Sequence, residues 1–382
     1  MNGPRLSPAQ TTASVRPSDD QIDRLAEALN SVRRITILGG AGCADAHDQL
    51  MEVAGKLQAL IVHAMRGKEF IEYDNPFDVG MTGLLGFASS YHAMMDCETL
   101  LLLGTDFPYR QFYPDHATVV QIDLRGEQIG RRTRVDLGLI GDVKTTLTAL
   151  SPRLKQKSDD RHLNNALQHY HMARKELADL ASGEPGRKPI HPQYIAKVLD
   201  EIAADDAIFC CDVGTPTIWA ARYLRMNGKR RLLGSFTHGS MANALPQAIG
   251  AQLSHPGRQV ITLSGDGGLS MLLGDLLSLR QLQLPIKLVV FKNDSLGFVE
   301  LEMKAAGFLD FATTLHNPSF AQIAEAAGLL GLTAETPEQV RSMLADALNH
   351  DGPALVEVVV NRQELALPPS IKMDHMIGSV FS

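Results

Sequence analysis

What this sequence lacks removes several classes of protein. Nowhere in its 382 residues do lysine and arginine form a block, and the formal charge is −7 with an isoelectric point near 6.0. A nucleic acid would find no basic surface for its phosphates, so no such partner is expected. No apolar run approaches the ~20 residues that a membrane-spanning helix needs. The opening stretch MNGPRLSPAQTTASVRPSDD has no apolar centre of the kind a secretory signal carries. Residues 1–19 read instead as a polar leader or linker. Cysteine occurs four times, at Cys43, Cys97, Cys210 and Cys211, and never in a CxxC spacing. Cys210 and Cys211 lie inside an apolar strand pattern, where thiols behave as small buried hydrophobes. This usage points to a reducing cytoplasm. No internal repeat of solenoid period is present.

What remains is ordinary globular material, 45% apolar and 21% charged. The length exceeds the ~250–300 residues that one core supports. Between residues 20 and 150, short apolar runs alternate with helical stretches. RRITILGGAG reads as a strand entering a glycine turn, with a helix from about Asp45 to Leu57. ALIVHA, TLLLLGTD and TVVQID follow as strands at βαβ spacing. Residues 151–189 are poorer in apolar side chains and read as a surface linker helix and a Gly/Pro hinge. A second unit, residues 190–368, opens with a helix at His191-Pro192. Its strands are AIFCCDVG, RLLGSF, QVITLSGDG, IKLVVFKND and ALVEVVV. Residues 369–382 read as an irregular tail. The expected fold class is α/β: two doubly wound parallel-sheet domains joined by a helical linker.

One stretch carries chemistry. In GDGGLSMLLGDLLSLRQLQLPIKLVVFKND a Gly-Asp-Gly turn ends one strand and an Asn-Asp pair ends the next. A helix over 268–283 is ~24 Å long at 1.5 Å per residue. The strand after it returns over ~23–26 Å. A right-handed crossover then sets Asp266 and Asn293 side by side on the carboxyl edge, where open α/β sheets bind ligands. Gly265, Gly267 and Gly268 let the backbone approach a ligand closely. A carboxylate beside an amide oxygen is an incomplete Mg²⁺ shell, of the kind completed by water and phosphate oxygens. The bland alternative is a pair of turns with no ligand.

The Gly-Asp-Gly followed by Asn resembles the thiamin diphosphate motif. CDVGTPTIWAARYL, GSFTHGSMANALPQAIGAQ, LGFVELEMKAAG, IVHAMRGKEFIEYDNPFDVGMTGLLGF and LLGTDFPYRQFYP resemble the pyruvate dehydrogenase (quinone), or pyruvate oxidase, family. The likeness runs from about Asp20 to Lys372. It implies that Asp266, Asn293 and the Ser295 carbonyl hold Mg²⁺. Gly267, Gly268 and the loop Asn293, Asp294, Ser295, Leu296, Gly297, Phe298 and Val299 would hold the diphosphate. The family has a second asparagine where Lys292 stands here, a departure that spares the ligand. Gly239, Ser240 and Met241 match the segment carrying the aminopyrimidine end, with Met241 wedged under the cofactor to keep it bent.

By the same resemblance the first domain binds FAD through Thr82, Gly83, Leu84 and Leu85, through Thr105, Asp106, Phe107, Pro108 and Tyr109, and through Asp123. Phe298 would stand between the two cofactors and help electrons pass. On its own, LGGAGCA (Leu38 to Ala44) is a weak dinucleotide motif, and Asp123 is as much a cap or turn residue. Met241 and Phe298 are the candidate catalytic residues.

The implied activity is that of an oxidoreductase, a flavoprotein that decarboxylates pyruvate and passes electrons through FAD to a quinone. The resemblance covers two of three family domains; the pyrimidine-binding domain, with its activating glutamate, is not found here. A homo-oligomer (dimer or tetramer), or a chain carrying that domain, is the expected partner. The family's terminal amphipathic helix, which places it peripherally at the inner membrane, is also not found. The alternatives are a non-catalytic or degenerate FAD and thiamin diphosphate module, and another FAD-containing relative such as acetolactate synthase.

Overall fold

Residues 14–186, 188–362 and 364 are described by the structure, a computed structural model. The leader up to residue 13 and the tail after residue 368 lie outside the described residues. Of the residues read as leader or linker, 14–19 are described and make defined contacts. Ser18 caps a helix over Asp19–Asn30 in a reciprocal capping box with Gln21. Val15 accepts a hydrogen bond from Asp142 N (2.8 Å), so this segment is docked on the first domain.

Among the described residues, runs rich in branched aliphatic side chains form twelve strands: β1 Ile35–Gly39, β2 Leu60–His63, β3 Asp78–Met81, β4 Thr99–Leu103, β5 Thr118–Asp123, β6 Leu137–Ile140, β7 Ile208–Cys211, β8 Arg231–Gly234, β9 Val260–Gly265, β10 Lys287–Lys292, β11 Leu330–Ala334 and β12 Ala354–Val359. They pair in parallel as two six-stranded sheets, ordered β3-β2-β1-β4-β5-β6 and β11-β12-β10-β9-β7-β8. The fold is therefore α/β with two domains. Central strands are buried on both faces, as crossover helices require.

Alternation along each strand feeds two layers. Leu101 and Leu103 enter one core of the first sheet, and Leu100 and Leu102 the opposite one. Val289 and Phe291 enter one core of the second sheet, and Leu288 and Val290 the other. All four cysteines are free and buried.

Three strands, β3, β6 and β11, escape the sequence reading. Each lies at a sheet edge and carries an internal glycine, Gly80, Gly138 or Gly331, which dilutes the apolar signal. The helix expected over 268–283 is broken into Asp266–Met271, a 3₁₀ turn Leu273–Asp275 and Leu276–Leu282. Gly274 sits at the break, where an internal glycine costs ~1 kcal/mol relative to alanine. The helix expected from Asp45 begins at His47, after a 3₁₀ turn at Ala41–Cys43.

The linker helix spans Arg161–Leu180 and buries only Leu163. Tyr170 on this helix meets Phe87 edge-on at 5.3 Å, and Arg174 donates to the Arg222 carbonyl (2.8 Å). The two domains also touch directly. Arg231 and the Leu232 amide grip Glu69, and the Met226 amide donates to Glu72. Arg222 Nε donates to the Leu85 carbonyl (3.0 Å), fixing the loop after β3 against the second domain. Among the described residues, no helix is long and apolar enough to cross a membrane.

Candidate active site

The second sheet brings the Gly-Asp-Gly turn and the Asn-Asp pair together. Phe291 pairs with Gly265, so β9 and β10 end level with one another. Asp266, one residue beyond β9, is 2% exposed. Its Oδ1 accepts the Gly267 amide (2.8 Å) and its Oδ2 accepts the Asp294 amide (2.6 Å). Asn293 Oδ1 accepts the Ser295 amide (3.2 Å). Asp294 takes a left-handed conformation, φ 52°, which turns the chain there. The buried Ser295 donates through its hydroxyl to Glu300 (2.7 Å).

Two further segments complete this edge. The stretch Thr313–Leu315 runs antiparallel to Asp294–Leu296, through Leu296 N to Thr313 O and Leu315 N to Asp294 O, both 2.9 Å. Asn317 Nδ2 then donates to both Asp266 Oδ2 and Asp294 Oδ1, at 2.9 Å each. Met241 arrives from the other side. A Cβ on Gly267 would stand 3.7 Å from Met241 Cε and 2.8 Å from a Leu296 methyl, so these side chains lie directly over the Gly267 backbone. Gly239 and Ser240 are exposed, and Met241 is half-buried.

Electrostatically the edge is incomplete. Burial pushes the Asp266 carboxyl up to about 6, against the pull of the Gly267 and Asp294 amides. Among the described residues no cation stands within ion-pair distance of Asp266, while Asp294 has Lys292 at 3.4 Å. A buried carboxylate of this kind is costly until a cation meets it. The oxygens on offer, one carboxylate, one carboxamide and backbone carbonyls, are hard donors that suit Mg²⁺. Among the described residues no group of three His, Cys, Asp or Glu is placed to hold a metal. The donor set therefore fits a hard dication that takes its remaining oxygens from a ligand.

Sequence reasoning missed two residues here, Asn317 and Asp212. Asp212 follows β7 at the reversal of strand order, is 2% exposed, and is pushed up to about 6 by burial. Its position one residue past a strand was a signal available in IFCCDVG. No such signal marks Asn317, which lies in a loop 51 residues from Asp266.

On the first sheet, Thr82–Leu85 and Thr105–Tyr109 meet at the carboxyl edge. A Cβ on Gly83 (φ 101°) would lie 3.0 Å from the Phe107 ring and 3.6 Å from Tyr109. Thr82 Oγ1 is buried without a hydrogen-bond partner, an open polar atom on this edge. Leu84 and Tyr109 are exposed, as is Pro108. Phe107 packs in the core with Phe112 and Tyr113. Asp106 is held by Arg132 through two bonds (2.6 and 2.9 Å). Asp123, 4% exposed, ends β5 and accepts the Arg125 amide (2.9 Å), a turn contact. LGGAGCA turns inward: a Cβ on Gly40 or Gly42 would lie 2.6 Å from the Gly104 backbone. Phe298 packs on the core of the second sheet, the cluster that Met65 and Leu85 of the first domain also reach. Val299 is exposed. A cavity of about 530 Å³ lies apart from both edges, at the domain junction, against Glu72, Asp78, Tyr170, Arg174, Arg225 and Met226.

Comparison with known proteins matches both domains to one family. Residues 212–358 match the family described as thiamine pyrophosphate enzyme, C-terminal TPP binding domain, and residues 22–150 match its central domain. The chain is 34% identical over 357 residues to YdaP of Bacillus subtilis (strain 168), whose name provisionally calls it thiamine pyrophosphate-containing; the match covers 94% of this chain and 62% of that one. It is 53% identical over 175 residues to an uncharacterized 42.6 kDa protein of Pseudomonas amyloderamosa, covering 46% of this chain and 44% of that one. It is 30% identical over 353 residues to the acetolactate synthase large subunit of Porphyra purpurea, covering 89% and 59%. The matches take in less than two thirds of each of these relatives. Through both matched domains, the chain belongs to the thiamine pyrophosphate enzymes.

Proposed function

We propose that this chain holds thiamin diphosphate through Mg²⁺ at the Asp266–Asn293 edge and serves a pyruvate:quinone oxidoreductase. Pyruvate and water become acetate and CO₂, and the two electrons released pass through FAD to a quinone. The observation that carries the reading is the buried Asp266 carboxylate. It has no cation partner among the described residues and is tied to the Asp294 amide beside Asn293.

In this reading Asp266, the Asn293 side-chain oxygen and the Ser295 carbonyl hold the metal. The Gly267–Gly268 backbone and the loop 293–299 face the diphosphate. When bound, thiamin diphosphate supplies the nucleophilic carbon and the electron sink for decarboxylation. Met241 supports the aminopyrimidine end, since its methyl group already reaches the Gly267 turn. FAD lies on the first sheet's edge, along Thr82–Leu85, Thr105–Tyr109 and Asp123. The open Thr82 hydroxyl supports that placement. Arg222 ties the Leu85 carbonyl to the second domain, so the two edges keep a set relation for electron passage. Met271, Leu272 and Leu277 are exposed on the broken helix beside the diphosphate edge, which supports cover by a second copy or a pyrimidine-binding domain.

A second reading, acetolactate synthesis, is favoured by relatives carrying that name. A third keeps the cofactors without turnover. The deciding experiment supplies the purified chain with thiamin diphosphate, Mg²⁺, FAD, pyruvate and a quinone analogue, with and without an added pyrimidine-binding domain. Quinone reduction with acetate formation, once that domain is added, is expected. Acetolactate as product would select the second reading, cofactor binding without product the third. Failure to bind thiamin diphosphate at all would sink all three.

A further inference from the structure

We propose that Asp212 is a positioning residue, clamping the segment Ser235–Ala244 against the Gly265–Gly268 turn and so setting where Met241 stands. The proposal rests on the reading of this edge as a thiamin diphosphate site and adds to it a residue placed by the fold alone. Asp212 leaves β7 where the strand order reverses, between β8 and β9, the crevice in which open α/β sheets take ligands. Its Oδ1 accepts the Ala244 amide (3.0 Å) and Asn243 Nδ2 (3.4 Å). Asn243 closes a ring around Met241. Its Oδ1 accepts the Ser235 amide (3.1 Å), and its Nδ2 donates to the Ser240 carbonyl (2.7 Å). The Ser240 amide donates in turn to Ser235 Oγ (3.2 Å).

The clamp opposes a real cost. Ala242, next to Met241, is held at φ 62°, a left-handed conformation that costs a non-glycine residue ~1–2 kcal/mol. On its other side the Asp212 carboxylate packs against Gly268. A Cβ on Gly268 would come within 2.3 Å of Oδ2 and 3.4 Å of the Ala242 amide. Among the described residues, Asp212 has no ion-pair partner. A buried carboxylate that forms no ion pair yet joins a strand end, a loop and a glycine turn is placed to hold those three parts in register.

The test compares Asp212→Ala, which removes both oxygens, with Asp212→Asn, which keeps one acceptor for the Ala244 amide. Two probes are titrated calorimetrically with Mg²⁺: thiamin diphosphate, and inorganic pyrophosphate, which lacks the aminopyrimidine end. Asp212→Ala is expected to weaken thiamin diphosphate about tenfold or more, the scale of a lost charge-assisted network. It should leave pyrophosphate near the wild-type value, and Asp212→Asn should recover most of the affinity. Without any cofactor, hydrogen exchange across 235–244 should speed up in Asp212→Ala and not in Asp212→Asn. Equal loss for both probes would reduce Asp212 to general support of the fold and overturn the proposal, as would unchanged exchange in the alanine variant. Wild-type protein that binds neither probe would remove the cofactor reading instead, and the exchange data would then decide the clamp alone.

Discussion

Both sheets reverse their strand order beside their first strand, and the two reversals are filled in opposite ways. In the first sheet the turn after β1 packs backbone to backbone on the turn after β4. Gly42 N donates to the Gly104 carbonyl (3.0 Å), and a Cβ on Gly104 would lie 2.5 Å from Gly42 Cα. In the second sheet the same place holds two buried carboxylates, Asp212 and Asp266, without cation partners among the described residues. One topological rule thus makes two crevices, and the residues one step past the strands decide whether glycine backbone or buried carboxylates line them. The first is closed by glycine, and its one unpaired buried hydroxyl among the described residues, on Thr82, lies further along the edge.

This contrast can be broken from either side. The largest effect is expected from Asp266→Ala. Mg²⁺-dependent thiamin diphosphate affinity should fall by about a hundredfold or more, because the only carboxylate of the donor set is lost. Flavin affinity in the same protein should stay unchanged. Calorimetry and flavin fluorescence check both, and unchanged thiamin diphosphate affinity would remove Asp266 from the site. Next in size is Gly104→Ala. Gly104 has φ 52°, and an added methyl group would strike the Gly42 backbone. A loss of ~2–4 kcal/mol in urea unfolding is expected, with the second sheet's binding retained in the folded protein. A loss below ~0.5 kcal/mol would mean that the first crevice is not sealed as described.

The smallest effect concerns the junction between the domains. Burial, and then the Glu72 charge, push Asp78 up to about 7 from its ordinary 3.8. The folded state therefore keeps a proton that the unfolded chain has released, and stability falls as pH rises across that window. His63, 3.8 Å away, is pushed down to about 4 by burial. Its contribution runs the other way: stability falls as pH drops from 6.5 towards 4. Lys68, Tyr170 and Arg174 complete the surroundings. Asp78→Asn should remove one slope and leave the other, so stability would climb more steeply between pH 4.5 and 6.5, by at most ~1.4 kcal/mol per pH unit. Urea midpoints measured across that range decide it. Parallel pH profiles for variant and wild type would show that Asp78 holds no extra proton.

Much of the fold was legible in the sequence because central parallel strands are continuous apolar runs. ITILG, TLLLL and VVFK announce themselves, whereas DVGM, LGLI and LGLTA do not, since edge strands need less burial and tolerate glycine. The docking of residues 14–18 was hidden because it is short: Pro17 alone is buried there, against Gly141, while Val15 offers a backbone carbonyl and Ser18 caps its own helix. At the site, the spacing of Asp266 and Asn293 was readable through the crossover rule. The broken helix between them was not foreseen, but it leaves the strand ends level.

What the sequence determined by itself is local: which residues end strands, which turns need glycine, and which oxygens stand on a carboxyl edge. Those follow from period, length and handedness, which short windows carry. Only the tertiary structure decided that Asn317 bridges Asp266 and Asp294 across 51 and 23 residues, and that Asp212 reaches Ala244 across 32. Such contacts depend on how separate crossovers pack against one another. Their side-chain hydrogen bonds leave no periodic trace in the chain, because each is a single meeting of two loops rather than a repeated face.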